Sequence, residues 1–425
     1  MNSISFNTAV IIHPRLKSPE PEPRSIEREI EEVEGLAEAI NLNVVHSEAV
    51  NLSQITPPLY LGKGTAERIK GIIEGVAPSV AIVNTQLSPV QQRNLENLWN
   101  VKVIDRTGLI LEIFGARAQT KEGVIQVELA ALNYQRSRLV RSWTHLERQR
   151  GGAGFMGGPG ERQIEIDRRL IDEKITQLKK NLEKVRQTRE LQRRSREQVP
   201  YPVVALVGYT NAGKSTLFNT LTNSDVFAED LPFATLDPTM RALKLKNGQE
   251  VILSDTVGFI TDLPTHLVEA FKATLEQVDY ADVIVHVRDY IADDSELQKE
   301  NVVKILSDLG VDYQADSRII EVWNKIDLLP EDQRINIKGR QNVVPISALS
   351  GYNIDRLLEQ ITQMLENHYV EDVIVLRPAQ GKELAWLHEH ANVLAIGIGE
   401  NGQQIVNVRI EPAMQDKFYK LFNAD

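Results

Sequence analysis

The chain has no cysteine among its 425 residues. That excludes disulfides, thiolate metal sites and a cysteine nucleophile. No apolar run approaches the roughly 20 residues that a membrane helix needs. Residues 1–10 show no basic segment followed by an apolar stretch, so no signal peptide is expected. Positive charge is in deficit: 48 Lys plus Arg stand against 59 Asp plus Glu, a net −11 that argues against a general polyanion binder. Hydrophobic residues make up 42%, enough for ordinary buried cores and too many for a disordered chain. The simplest reading is a soluble cytosolic protein of about three domains.

The acidic average hides an asymmetry. Residues 136–196 hold 17 Lys plus Arg against 8 Asp plus Glu, a local +9 that leaves −20 for the remainder. One basic element on an acidic protein points to a polyanion at one place. The same stretch has a helical period. Ile125, Leu129, Leu132, Leu139, Trp143 and Leu146 follow a four–three alternation with Arg136 at the one polar step, and Ile164, Ile171, Ile175, Leu178, Leu182 and Val185 form a second series. Between them, residues 151–160 carry six glycines and a proline, which cannot continue a helix. An antiparallel helical hairpin over 123–198 with a glycine-rich tip at 151–160 is expected. Arg148, Arg150, Gly151, Gly152, Phe155, Arg162, Arg168 and Arg169 at or beside that tip are the candidates for RNA contact. The plainer alternative is a solvated helix pair with charged outer faces.

Elsewhere the organisation is that of small α/β units. Residues 14–24 hold four prolines and read as a flexible leader, followed by a helix over 26–40, so 1–58 is assigned as leader and N-terminal helix. An α/β subdomain is expected over 59–122, with strands at 81–83 and 101–104 and helices at 66–74 and 89–98. Gly62-Lys63-Gly64 could hold an anion but reads better as a plain turn. From 199 to 369 strands and helices alternate as in a doubly wound α/β domain, and 370–425 reads as a small α+β domain whose residues suggest no chemistry.

The chemistry lies in the doubly wound domain. The strand run 203–207 leads into Gly208-Tyr209-Thr210-Asn211-Ala212-Gly213-Lys214-Ser215, and Thr216 continues into a helix: G-x-x-x-x-G-K-S in strand–loop–helix context. The glycines let backbone N–H groups approach phosphates at the positive end of a helix. Lys214 would reach the β/γ oxygens and Ser215 would ligate Mg²⁺. A second strand at 251–254 ends in Asp255-Thr256-Val257-Gly258, where the carboxylate suits Mg²⁺ and the Gly258 N–H can meet a γ-phosphate. Between these motifs Phe233-Ala234-Thr235-Leu236-Asp237 offers Thr235 as a further Mg²⁺ ligand, preferred over Thr239. A third strand at 318–323 ends in Asn324-Lys325-Ile326-Asp327. Asp327 can accept from guanine N1–H and the exocyclic amine, a pair that adenine lacks; Asn324 can bond the purine edge and the Lys325 stem can lie along the base. The backbone of Ser347-Ala348-Leu349 would contact guanine O6. These motifs specify GTP and GDP. The position that carries a water-orienting glutamine in Ras-like switches is Phe259, so slow intrinsic hydrolysis is expected, completed by a partner or a monovalent cation. Asn211 either holds K⁺ or is a turn residue. The residues taken to carry turnover are Lys214, Thr235, Gly258 and Asn211.

The chain resembles the HflX-type ribosome-associated GTPases, relatives of the translation-factor P-loop GTPases, over about 61–369. The resemblance rests on Asp105-Arg106-Thr107-Gly108-Leu109-Ile110-Leu111-Glu112-Ile113-Phe114, on Gln126-Val127-Glu128-Leu129-Ala130, on Gly158-Pro159-Gly160-Glu161 leading to Asp167-Arg168-Arg169, and on the nucleotide motifs above, including Phe259-Ile260. Phe at the Phe259 position is typical of the family. Arg162-Gln163 departs from its usual Thr-Gln and adds a positive charge at the tip. The last 55 residues carry no resemblance of their own. The resemblance implies a bacterial-type or organellar protein of the cytoplasm, stroma or matrix that binds the large ribosomal subunit. In some members it splits stalled or idle ribosomes under stress, with the hairpin tip reaching ribosomal RNA. A monomer with no DNA partner and no membrane insertion is expected. The rivals are a ribosome-assembly GTPase, a tRNA-modification GTPase (whose C-terminal cysteine this chain lacks), a membrane-linked GTPase and a nucleotide-binding scaffold without turnover.

Overall fold

The computed structural model describes residues 8–17, 24–149, 159–194, 201–222, 233, 239–256, 258–260, 278–336, 342–367, 370–399, 402–410 and 412–422. Within the hairpin, 140–149, 159–164, 186 and 188–194 are described as backbone.

The N-terminal sheet begins earlier than the proline pattern suggests. Strand β1 (Thr8–Leu16) is followed by α1 (Ile26–Glu38), β2 (Asn43–Leu52), α2 (Lys63–Val76), β3 (Val80–Val83), α3 (Pro89–Trp99), β4 (Lys102–Asp105) and α4 (Arg106–Arg117). The four strands are parallel in the order β2-β1-β3-β4. The assignment of 1–58 as a leader with one helix is therefore corrected, because β1 and β2 belong to this sheet. Val10, Ile11 and Ile12 are fully buried, as the unbroken apolar run of an inner parallel strand requires. Pro14 is tolerated because β3 pairs with β1 only as far as Ile12, so beyond it β1 has a free flank. The helices start on local signals. Ser25 accepts from the Arg28 N–H, and Ser88 and Gln91 form a capping box with Pro89 in the first turn. Gly62 merely caps α2, so Gly62-Lys63-Gly64 is a helix start.

Helices α5 (Lys121–Gln149) and α6 (Pro159–Arg194) form the hairpin. They run antiparallel: Glu128 pairs with Lys174 at 2.6 Å, and Arg136, further along α5, pairs with Asp172, earlier on α6, at 3.1 Å. Ile125, Leu129 and Leu132 bury against Ile175 and Leu178, flanked by Ile171, Leu182 and Val185. With 36 residues, α6 is about 54 Å long at the usual rise. Its root is tied to the N-terminal sheet by Asp105. That buried carboxylate accepts from the Gly108 N–H at 2.8 Å, Tyr134 Oη at 2.5 Å and Arg138 at 2.7 Å. The motif Asp105-Arg106-Thr107-Gly108 thus caps α4 and holds the arm at once.

The third unit contains β5 (Val203–Val207), α7 (Lys214–Thr222), β6 (Thr239–Lys244), β7 (Glu250–Asp255), β8 (Val283–Asp289), α8 (Ser295–Asp308), β9 (Ile319–Asn324), α9 (Glu331–Asn336), β10 (Val343–Pro345) and α10 (Ile354–Asn367). Its sheet order is β10-β9-β8-β5-β7-β6, parallel apart from the edge strand β6. The chain reverses its direction of travel across the sheet at β5, which opens a ligand crevice at the carboxyl end of that strand. A small antiparallel sheet follows, β11 (Val370–Leu376), β12 (Asn392–Ile398) and β13 (Gln404–Ile410), ordered β11-β13-β12. Its core is closed by α11 (Gly381–His390) and α12 (Pro412–Phe422). The fold is the expected α/β architecture. Among the described residues, no helix is long and apolar enough to cross a membrane.

One buried cluster crosses from the first unit to the third. Tyr209, Phe233 and Ile260 pack with Ile11, Leu36, Ile110 and Phe114. The Phe114 and Phe233 rings meet edge to face with centroids 4.7 Å apart.

Candidate nucleotide site

The phosphate loop leaves β5 at Gly208 and enters α7 at Lys214. Two glycines are fixed by what surrounds them. Gly213 has φ +91°, and a Cβ there would lie 2.2 Å from Asn324 Nδ2. At Gly258 a Cβ would meet Thr210 Cγ2 at 2.9 Å and Lys214 Nζ at 3.1 Å. The glycine of the D-x-x-G motif is thereby brought directly over the loop lysine, although the two follow different strands.

Lys214 is buried, and its ammonium donates to the carbonyls of Gly208 (3.1 Å) and Tyr209 (2.8 Å). Burial pulls its pKa down from 10.5 to about 8, opposed by the charge of Asp255. A cation held in this way is starved of anionic partners, and the phosphates of a nucleotide would supply them. Ser215 Oγ donates to Asp255 Oδ2 at 2.8 Å, so the two oxygen ligands expected from separate motifs are adjacent. Thr256 Oγ1 donates to the Leu206 carbonyl at 2.6 Å, which locks the end of β7 against β5. A hydroxyl beside a carboxylate suits a hard cation that retains water and phosphate ligands, as Mg²⁺ does. Among the described residues there is no group of three or more His, Cys, Asp or Glu placed to hold a metal ion.

Phe259 does more than replace a glutamine. Its N–H donates to the Gly208 carbonyl at 3.1 Å and its carbonyl accepts from the Thr210 N–H at 2.7 Å. The ring is buried among Val207, Ile284 and Leu306 behind the sheet. Phe259 is thus a clasp between the phosphate loop and the start of the following segment. Asn211 sits at the outer turn with φ +60°, exposed, and its side chain makes no hydrogen bond among the described residues. That conformation suits a turn asparagine.

On the base side, Asn324 is a joint rather than a plain reader of the purine. Its Nδ2 donates to the Ala212 carbonyl and its Oδ1 accepts from the Ala348 N–H, both at 2.9 Å. One buried amide therefore fastens the phosphate loop to Ser347-Ala348-Leu349. The Ala348 N–H, expected at guanine O6, donates here to Asn324. Ser347 Oγ accepts from the Ser350 N–H at 3.0 Å, so it shapes the turn, and Leu349 is exposed. Lys325 has φ +65°, and its ammonium pairs with Asp289 at 2.9 Å, beside a stacked Tyr290–Trp323 pair. Ile326 is buried, whereas the half-exposed Asp327 carboxylate makes no hydrogen bond or ion pair among the described residues. Its oxygens are available to a ligand.

Ala234, Thr235, Leu236, Asp237 and Val257 lie outside the described residues, while Thr239 is the first residue of β6, in register with Asp255. Arg148, Arg150, Gly151, Gly152, Phe155 and Arg162 also lie outside the described residues or side chains. Arg168 and Arg169 are exposed and approach Asp172 (3.9 Å) and Glu173 (3.4 Å) on their own helix. Such exposed pairs hold their charges only weakly. Sequence reasoning missed Asp289, Glu32 and Arg24. Glu32 takes the Tyr209 hydroxyl from 177 positions away, and no local pattern signals such a pairing.

Comparison with known proteins agrees with this geometry. Family models match in series along the chain: "GTP-binding GTPase N-terminal" over 27–115, "GTP-binding GTPase Middle Region" over 117–196, "50S ribosome-binding GTPase" over 203–325 and "HflX C-terminal domain" over 333–419. GTPase HflX of Magnetococcus marinus is 48% identical over 389 residues, covering 91% of this chain and 89% of the relative. The chain belongs to the HflX GTPase family. GTPase HflX of Escherichia coli is 40% identical over 385 residues, covering 90% of this chain and 89% of that one. Among solved structures, the SsGBP and GDP complex superposes with a TM-score of 0.50 at 26% identity, covering 85% of this chain and 99% of that one. As an HflX GTPase the chain binds guanine nucleotide and hydrolyses GTP to GDP and phosphate. The family match also reaches 419, which corrects the reading that the last 55 residues lack a resemblance.

Proposed function

We propose that this HflX-type GTPase is a Mg²⁺-dependent switch of the cytoplasm that docks on the large ribosomal subunit through the tip of its hairpin and separates stalled or idle ribosomes under stress. The observation that carries the reading is the buried cluster in which Tyr209, Phe233 and Ile260 pack against the N-terminal unit that also roots the arm. It joins the nucleotide loops to a basic element about 54 Å long. The matched description "50S ribosome-binding GTPase" supports the choice of partner.

The site residues take the following roles. Backbone N–H groups of the loop 208–216 and the Lys214 ammonium hold the phosphates. Ser215 and Asp255, joined by Thr235, hold Mg²⁺, which when bound neutralises charge on the β/γ oxygens. Gly258 senses the γ-phosphate. Asp327 selects guanine, and Asn324 keeps the base and phosphate loops in register. Asn211 lends its amide to K⁺, so turnover is faster in K⁺ than in Na⁺. The buried Phe259 cannot orient water, and turnover stays slow until a ribosomal partner completes the site.

The arm is tested by neutralising Arg148, Arg150, Arg162, Arg168 and Arg169 together. Binding to large subunits should weaken. The slope of log affinity against log salt should flatten by about 0.7 to 0.9 for each phosphate that is no longer neutralised. Unchanged affinity and slope would remove the tip from the interface.

A further inference from the structure

A single carboxylate of the N-terminal unit gathers donors from three places. Glu32, on α1, accepts from Arg24 (2.8 Å), from Arg106 at the head of α4 (2.6 Å) and from the hydroxyl of Tyr209 in the phosphate loop (2.8 Å). Arg24 reaches on to Asp294 at 2.6 Å, in the GTPase domain just ahead of α8. All four charged side chains are about nine-tenths or more buried. Charge-assisted bonds in so dry a setting are strong and directional.

The other end of Tyr209 is at the phosphate site. Its backbone carbonyl accepts from Lys214 Nζ at 2.8 Å. Its two peptide neighbours, Gly208 and Thr210, are bonded to Phe259. The residue is therefore gripped on three sides: by Glu32 through the phenol, by Lys214 through the carbonyl and by the clasp of Phe259 through its neighbours. The ring itself is 4% exposed and packs in the cluster that spans the two units. Two of the three ammonium donors of Lys214 are taken by loop carbonyls, and the third is left for a phosphate oxygen, so the Tyr209 carbonyl helps to aim the ammonium. How well it does so depends on where the carbonyl is held.

We infer that Glu32 is a positioning residue of the nucleotide site: through the Tyr209 hydroxyl it fixes the first turn of the phosphate loop, and so sets how long a guanine nucleotide stays bound. The N-terminal unit is in this sense part of the nucleotide site. A displacement of α1 that pulls Glu32 off Tyr209 loosens the loop without any change in the residues that touch the nucleotide. Removing the phenol hydroxyl leaves the ring in its apolar cluster and deletes the bond to Glu32.

The test is the dissociation rate of a fluorescent GDP from the full chain, with steady-state GTP turnover beside it. Tyr209→Phe and Glu32→Gln should each speed GDP release about tenfold, equivalent to about 1.4 kcal/mol. KM should change more than kcat. The double variant should be no faster than the worse single one, because both act on the same bond: one deletes the donor hydroxyl and the other turns its charged acceptor into a neutral one. Glu29→Gln is the control: Glu29 lies on the same helix and pairs with His13 at 2.9 Å, away from Tyr209. It should leave GDP release unchanged. The idea is overturned if Tyr209→Phe, folded by thermal melt, releases GDP at the rate of the unaltered chain. It is also overturned if Glu29→Gln speeds release as much, or if the two changes multiply in the double variant.

Discussion

Replacing Lys214 with Met should do two opposite things, and the size of one can be worked out in advance. The lysine is buried, its native pKa is about 8, and its ordinary value is 10.5. The unfolded chain therefore holds a proton that the folded chain gives up in the interval between these values. Where the unfolded state binds more protons, stability rises with pH. The penalty for burying the cation is fully present below pH 8 and disappears as pH climbs to 10.5. Each pKa unit is worth about 1.4 kcal/mol, so the whole penalty is about 3 kcal/mol. The assay is urea unfolding of the nucleotide-free protein between pH 7.5 and 10, unaltered chain against Lys214→Met. Their difference in stability should change by about 1.4 kcal/mol per pH unit in the alkaline half of that range, since other titrating groups cancel. Lys214→Met should also fail to retain GTP. Equal pH slopes for the two proteins would show that Lys214 is not a strained cation in the folded state. Retained GTP affinity would contradict the site itself.

Two further substitutions probe the base side. Asn324→Ala removes both bonds of the joint between Ala212 and Ala348 and leaves buried backbone groups unpaired, at a cost of about 3 kcal/mol. Calorimetric titration should show GTP and GDP affinity falling by similar factors, and a loss confined to GTP would argue against a joint. Asp327→Asn removes two charge-assisted bonds to guanine, about 3 kcal/mol or a hundredfold in GTP affinity. Competition binding should show the preference moving toward xanthine nucleotide, and undiminished guanine preference would unseat Asp327 as the reader.

Much of this site was legible because its parts are local. Gly208 to Ser215, Asp255 to Gly258 and Asn324 to Asp327 each follow directly on a strand, and a strand end in a doubly wound sheet is where ligands sit. The adjacency of Ser215 and Asp255 follows once β5 and β7 are neighbours in the sheet. The hairpin seam was legible for the same reason, since Ile125, Leu129 and Leu132 declare one face by their spacing. What stayed hidden is tertiary. The strand β1 was masked by Pro14 and the prolines that follow it, although the run of Val10, Ile11 and Ile12 carried the signal of a buried strand. Asn324 looked like a base contact because its amide suits a purine edge, and only the fold shows both of its polar ends taken by the protein. Phe259 was legible as an absent glutamine and not as a clasp, because backbone pairing across two loops leaves no mark on residue type. Glu32 had no signature at all: an acidic residue on an amphipathic helix reads as solvated until the phosphate loop is seen against it.

The most direct test of the switch is GTP turnover by the full chain, measured with and without purified large ribosomal subunits, alongside co-sedimentation in GTP, GDP and a non-hydrolysable analogue. Slow turnover alone, clear stimulation by the subunits, and binding that is stronger with GTP or the analogue than with GDP are expected. No stimulation, together with binding indifferent to the nucleotide, would contradict a GTP switch that acts on the ribosome.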